Sequence, residues 1–178
     1  MEKVSTSLGL MEMSVVKELA NIGLGHATTA IAEMTNKPFN MGVPSAESVP
    51  LEEIPLMVAG REELTVGIYM AVDGEVPGHM AFLVPWKSAQ SFWQMLLGYS
   101  PETIDQVGEL EASVMLEMGN IINSSFLNAI SDMTNLSLLA SPPSVSIEMA
   151  AAILQAIVLE ASMSDHVALS IKTRIYDE

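Results

Sequence analysis

Residues 14 to 45 read SVVKELANIGLGHATTAIAEMTNKPFNMGVPS, and residues 113 to 144 read SVMLEMGNIINSSFLNAISDMTNLSLLASPPS. The two stretches align without a gap at an offset of 113 − 14 = 99 residues. Ser14 meets Ser113, Val15 meets Val114, Glu18 meets Glu117, Asn21 meets Asn120 and Ile22 meets Ile121. Ala30-Ile31 meets Ala129-Ile130, the triplet Met34-Thr35-Asn36 meets Met133-Thr134-Asn135, and Pro44-Ser45 meets Pro143-Ser144. An in-register triplet together with nine further matches is far beyond chance pairing. The period is too long for a solenoid, so it reads as an α/β half present twice, the copies related by a pseudo-twofold axis.

Working outward, Met11 to about Asn36 carries apolar residues at helical spacing: Val15, Leu19, Ile22, Ala27, Ala30, Ile31 and Met34. Gly23 and Gly25 interrupt it, which predicts a bend or a close contact there. The matching helix is expected from about Ile104 to Asn135. A Pro-containing extended segment follows each helix, near Phe39 to Val49 and Leu136 to Ile147. Leu64 to Val72 and Gly78 to Pro85 read as a hairpin around Asp73-Gly74, and Trp86 to Leu97 as a helix closed by Gly98. Trp86 and Trp93, seven apart, share a helix face and are assigned to the core. Val145 to Ala161 reads as a short strand and then a helix; His166 to Tyr176 alternates apolar and polar residues and reads as a strand. One domain built of two repeats, about 10–100 and about 104–178, is expected, with the last strand an edge that invites homodimer pairing.

Composition narrows the function. The 178 residues are 49% hydrophobic, enough for a packed interior. Seven basic against 22 acidic residues give a net charge of −15, which repels phosphate backbones and anionic membrane surfaces. There is no cysteine, so disulfides, thiolate nucleophiles and Cys-ligated metals are excluded. His26, His79 and His166 are scattered without metal-ligand spacing. His26 reads as a helix-surface residue, His79 and His166 as strand residues without chemistry. The first residues lack the basic-then-apolar pattern of a signal peptide, and Met149 to Leu159, interrupted by Gln155, is about half the length a bilayer needs. A cytoplasmic location is the expectation.

Within the repeat the polar matches form a pattern. Ser14, Glu18 and Asn21 lie at i, i+4 and i+7, within roughly 60° of one another on a helix. Ser113, Glu117 and Asn120 repeat the stripe. Neighbouring positions differ between the copies, as with Lys17 against Leu116 and His26 against Ser125, while the stripe does not. A solvated face tolerates almost any polar residue, so the retention points to function. Asn has no useful pKa, but its amide can hold a water in line for attack; Glu can pair with a partner's cation. Neither is a nucleophile or a metal site alone. The pair looks like half an active site, inserted into a partner that supplies the rest, as phosphoryl transfer permits.

These residues resemble the CheC/CheX/FliY family of chemotaxis phosphatases, whose pattern Ser/Asp-x₃-Glu-x₂-Asn-x₂₂-Pro stands here as Ser14, Glu18, Asn21, Pro44 and again as Ser113, Glu117, Asn120, Pro143. The run from Glu18 to Ala30 is similar to the family's helix, although His26 stands where Asn is frequent and Ser124 where Gly is frequent. Two intact motifs resemble the two-site branch rather than CheX, with one site, or FliY, with an added flagellar-switch domain. The resemblance implies a pseudo-twofold layered α/β (α+β) fold, an antiparallel sheet with the two motif helices side by side on one face. It implies dephosphorylation of the response regulator CheY-P. Asn21 and Asn120 would position the water, Glu18 and Glu117 would pair with the regulator's Lys, and Ser14, Ser113, Pro44 and Pro143 would support them. Mg²⁺ would come from the regulator, with no cofactor of the chain's own. It further implies the deamidase CheD as a partner, with Glu148, at the start of the Met149 to Leu159 helix, as a candidate contact. The competing readings are a non-catalytic module that sequesters CheY-P or CheD, and a flagellar-switch component.

Overall fold

A computed structural model describes residues 9–38, 40–57, 62–161 and 167–176. The elements follow in the order α1 (Leu10–Thr35), β1 (Asn40–Pro50), a 3₁₀ turn (Leu51–Glu53) running into the short α2 (Ile54–Met57), β2 (Leu64–Gly74), β3 (Gly78–Pro85) and α3 (Trp86–Leu97). A second 3₁₀ turn (Ile104–Gln106) precedes α4 (Glu109–Thr134), β4 (Leu138–Ala140), β5 (Ser144–Met149), α5 (Ala150–Ala161) and β6 (Val167–Tyr176). The hairpin and α3 with its Gly98 cap stand where the sequence puts them. The second long helix starts at Glu109 rather than near Ile104, because Val107 is extended and Gly108 caps the helix. Phe39 and His166 lie outside the described residues.

Both long helices begin and end by the same local chemistry. Gly9 and Gly108 are extended N-caps, and the Glu three residues on accepts the cap N–H: Gly9 N to Glu12 Oε2 at 2.6 Å, Gly108 N to Glu111 Oε2 at 2.8 Å. At the other end Asn36 and Asn135 adopt left-handed backbone, with φ 51° and 55°, a conformation Asn tolerates as a helix terminator. Thr35 and Thr134 return their hydroxyls to Ile31 O (2.8 Å) and Ile130 O (2.6 Å). The repeated Thr-Asn is therefore a stop signal. The repeated Gly…Glu start extends the duplication beyond the stretch that opened the alignment.

The strands exchange between the copies. β1 pairs antiparallel with β6, while β5 and β4 pair antiparallel with β2. The registers correspond: Ser45 pairs with Lys172 as Ser144 with Tyr69, and Pro50 with Val167 as Met149 with Leu64. The first members of these pairs differ by 99 and the second by 103 (172 − 69 and 167 − 64). The register of β1 slips between Gly42 and Ser45, and the equivalent point in the second copy is the break between β4 and β5. Pro44 and Pro143 stand at these two irregularities, where a residue without an N–H costs no ladder bond. Ser141 spans the second: its N–H bonds Ala71 O (2.8 Å) and its Oγ accepts from Ala71 N (2.9 Å).

Among the described residues the antiparallel strands fall into a two-stranded β1–β6 ladder and a four-stranded set in which β2 is flanked by β3 on one edge and by β4 and β5 on the other. Helices also cover both faces of β2. Ile68, fully buried, lies under α4, so that a Cβ on Gly119 would come within 2.5 Å of its Cγ2. Ile153 of α5 sits over Gly67 on the opposite face. The motif helices α1 and α4 pack together: a Cβ on Gly23 would stand 2.6 Å from Phe126 Cα. The Gly23 interruption is thus a close helix–helix contact, whereas Gly25 faces open space. The core joins Ala20, Leu24, Ala27 and Ile31 of α1 to Met115, Met118 and Ile122 of α4, with Val66, Ile68 and Trp93. Val15 and Met34, placed on the apolar stripe of α1 by periodicity, are exposed. That stripe is narrower, Leu19-Ala20-Gly23-Leu24-Ala27-Ile31. Among the described residues no helix is long and apolar enough to cross a membrane.

Candidate functional site

Burying Leu19, Gly23, Leu24, Ala27 and Ile31 turns the opposite side of α1 outward. Ser14, Glu18 and Asn21 are all exposed on it. On α4, Met115, Met118, Gly119 and Ile122 point inward, leaving Ser113 and Glu117 exposed and Asn120 half-buried. The Gly23–Phe126 contact lies just C-terminal to both stripes, within a turn of Asn21 and two turns of Asn120, so one packing contact fixes the two stripes relative to each other. Several of the other repeated residues have structural duties: Thr-Asn stops the helices, Pro sits at the register breaks, and Ile31 and Ala129 are buried, while Val15, Met34 and Met133 are exposed. The stripe has no comparable duty. Among the described residues one side-chain hydrogen bond involves it, the Ser124 hydroxyl donating to Asn120 Oδ1 at 3.3 Å.

In the sequence Ser124 stands out only as a replacement for Gly. The signal that finds its role is the offset of 99, which places it opposite Gly25, four residues after each motif Asn. The start of α4 carries a second set of residues that periodicity does not reveal. Glu111, buried at 6% exposure, accepts the Tyr99 hydroxyl on Oε1 (2.5 Å) and Gly108 N–H on Oε2 (2.8 Å), while its carbonyl accepts Trp93 Nε1–H (2.9 Å). The Tyr99 hydroxyl first, and then the backbone N–H groups of Glu111 itself and Gly108, hold the Glu111 carboxyl below its usual range. The same bond raises Tyr99. Trp86 packs edge-on against Trp93 at 5.3 Å, placing both rings together as their spacing predicts.

Other singled-out residues fall elsewhere. Pro44 lies in β1 and Pro143 between β4 and β5, both remote in sequence from the stripes they were expected to support. Glu148 is exposed, but on β5 opposite Thr65 and not at the start of a helix, because the strand runs to Met149 and α5 begins at Ala150. His26 is exposed on α1. His79 lies on β3 and its Nδ1 shares a 2.6 Å hydrogen bond with the Tyr69 hydroxyl, the two rings stacked at 5.8 Å. Burial, and then the Glu160 charge, push Tyr69 upward. β6 is paired along β1 only, among the described residues.

Twin polar stripes thus stand on the outer side of two packed, duplicated helices in an α/β fold. The model of the CheC-like family matches residues 11–48, the first helix and β1. Over 169 residues the chain is 31% identical to the CheY-P phosphatase CheC of Bacillus subtilis (strain 168), spanning 94% of this chain and 81% of that one. The chain belongs to the CheC-like family. Its fold is also that of Thermotoga maritima FliY (TM-score 0.73, 15% identity, 95% of this chain and 84% of that one). A chain of the FliG–FliM complex from H. pylori has it too (TM-score 0.69, 8% identity, 96% and 88%).

Proposed function

We propose that the protein removes the phosphoryl group from the aspartyl phosphate of a CheY-type response regulator. The observation that carries this reading is the repeated Ser-Glu-Asn stripe: identical in both copies, solvent-facing with only Asn120 half-buried, and outside the core and the helix ends. The Bacillus subtilis relative, named a CheY-P phosphatase, supports it.

The chemistry follows from what each side chain can do. Attack of water on phosphorus breaks the bond to the aspartyl oxygen, forms inorganic phosphate and returns a carboxylate to the regulator. The protein's part is to place that water. Asn21 and Asn120 each offer an amide oxygen that accepts a water O–H and an N–H pair that donates, so the water is held with a lone pair toward phosphorus. Glu18 and Glu117, one turn earlier, supply a negative charge for a lysine on the regulator, which fixes the approach. The metal that screens the phosphoryl oxygens belongs to the regulator on this reading. Positioning of this kind is worth about 10²–10⁴-fold in rate. A net charge of −15 favours a partner that presents cations around its pocket. CheD contact through exposed Glu148 and homodimerisation through the free edge of β6 are further parts of the proposal. Pull-down with Glu148→Arg and sedimentation of the purified protein test them.

The deciding experiment follows loss of label from ³²P-CheY with wild type, Asn21→Ala, Asn120→Ala and the double variant. Acceleration by wild type, reduced by each single change and abolished by both, is expected. Binding without acceleration would replace this reading by sequestration.

A further inference from the structure

Among the positions near the reacting amide at which the two copies differ, one carries a hydrogen bond to it. Four residues after Asn21 stands Gly25, exposed, with nothing within 4 Å of where a Cβ would be. Four residues after Asn120 stands Ser124, half-buried, its hydroxyl on Asn120 Oδ1 at 3.3 Å. A spacing of i, i+4 puts the two side chains on one face of α4, so the contact needs no distortion of the helix.

We infer that Ser124 is a positioning residue for the Asn120 amide, on which the second site depends and which the first site lacks; this rests on the phosphatase reading above. The amide end of Asn rotates over a broad, nearly twofold profile. A hydroxyl donor on one side selects the orientation with Oδ1 toward Ser124. That leaves the second oxygen lone pair and both Nδ2–H donors for the water and the incoming phosphoryl group. Asn120 is half-buried and held; Asn21 is exposed and must be ordered when the regulator docks. Ordering such a side chain on demand lowers the rate by roughly three- to tenfold. Ser124 touches neither water nor phosphate, so its effect belongs in kcat rather than in KM.

The test isolates one site at a time. In an Asn21→Ala background, Ser124→Ala is expected to lower kcat toward phosphorylated CheY by roughly three- to tenfold with KM held within about twofold, and Ser124→Thr, which keeps the hydroxyl, to restore it. In an Asn120→Ala background, Gly25→Ser is expected to raise kcat of the first site by a similar factor, since the new side chain enters open space. Independently of turnover, ¹⁵N relaxation of the side-chain amides is expected to show Asn120 more ordered than Asn21 in wild type, and Ser124→Ala to erase the difference. Unchanged kcat and unchanged Asn120 amide relaxation in Ser124→Ala would overturn the inference. Should that variant fail to fold, an unaltered first-site rate and Asn21 amide in Gly25→Ser would do so. Wild type that leaves the regulator's own decay unaltered would instead reject the phosphatase reading, with the relaxation comparison still deciding the role of Ser124.

Discussion

The two motif helices carry the same outward residues on very different foundations. α4 starts from a buried Glu111 bonded to Tyr99 and Gly108, its carbonyl takes the Trp93 indole N–H, and Ser124 reaches its Asn. α1 starts from the exposed Gly9–Glu12 bond, and its first residues, Leu10 and Met11, are 95% and 82% exposed. The capping pair is common to both; in the second copy Tyr99 and Trp93, brought by α3 and the chain after it, cover it. Duplication kept the surface stripe and let the support diverge. Support therefore does not dictate the stripe, which is the strongest ground for assigning the stripe to a partner.

The comparison breaks most severely at the shared contact. Gly23→Ala forces a Cβ against Phe126 backbone at 2.6 Å, with no flexible side chain to yield. A loss of about 1–3 kcal/mol in urea denaturation is expected, and both sites are expected to weaken together. A sharper probe uses the core. Asn123 is 3% exposed and its Nδ2 has no hydrogen-bond partner among the described residues, while the equivalent residue in α1 is Leu24, at 4% exposure. Asn123→Leu is expected to stabilise the protein by about 1–2 kcal/mol, read as a rise in Tm. Because β1 pairs with β6 and β5 with β2, neither copy holds a complete sheet. A single unfolding transition is expected by both fluorescence of the two tryptophans and far-ultraviolet circular dichroism.

The smallest effect is the most specific to the second copy. The Glu111 carboxyl sits below its unfolded value near 4.5, so its contribution is fully present above that pH and fades as the pH falls through the lower folded value. Glu111→Gln is expected to flatten the acid limb of the stability curve, measured by thermal melts from neutral pH to about pH 3.

Much of this architecture was legible in the residues. The offset of 99 exposed the duplication, and the Trp86–Leu97 helix and the Asp73-Gly74 hairpin followed from periodicity and turn chemistry. The outward direction of Ser14, Glu18 and Asn21 followed from the apolar residues between them. Three features were not legible, each because it depends on contacts distant in sequence. Exchange of strands between copies is a property of pairing, and Lys172 carries no mark that selects Ser45. The division into two sheets follows from that exchange. The Glu111 clamp joins residues 12 and 18 positions apart, and a Glu in the first turn of a helix usually reads as solvated. The apolar run that begins at Met149 predicts a helix next to Glu148, whereas the β2 ladder extends the strand to Met149. Helical spacing puts Val15 and Met34 on the inward stripe because it gives a stripe its direction but not its width.

The central claim is that the twin amides act on a phosphoryl group held by another protein. Measuring ³²P-CheY decay with the Asn21→Ala/Asn120→Ala double variant tests it most directly, with folding verified by an unchanged melting curve. Decay no faster than that of the regulator alone is expected, against an acceleration by wild type of about 10²-fold or more. A folded double variant that still accelerates decay like wild type would contradict it.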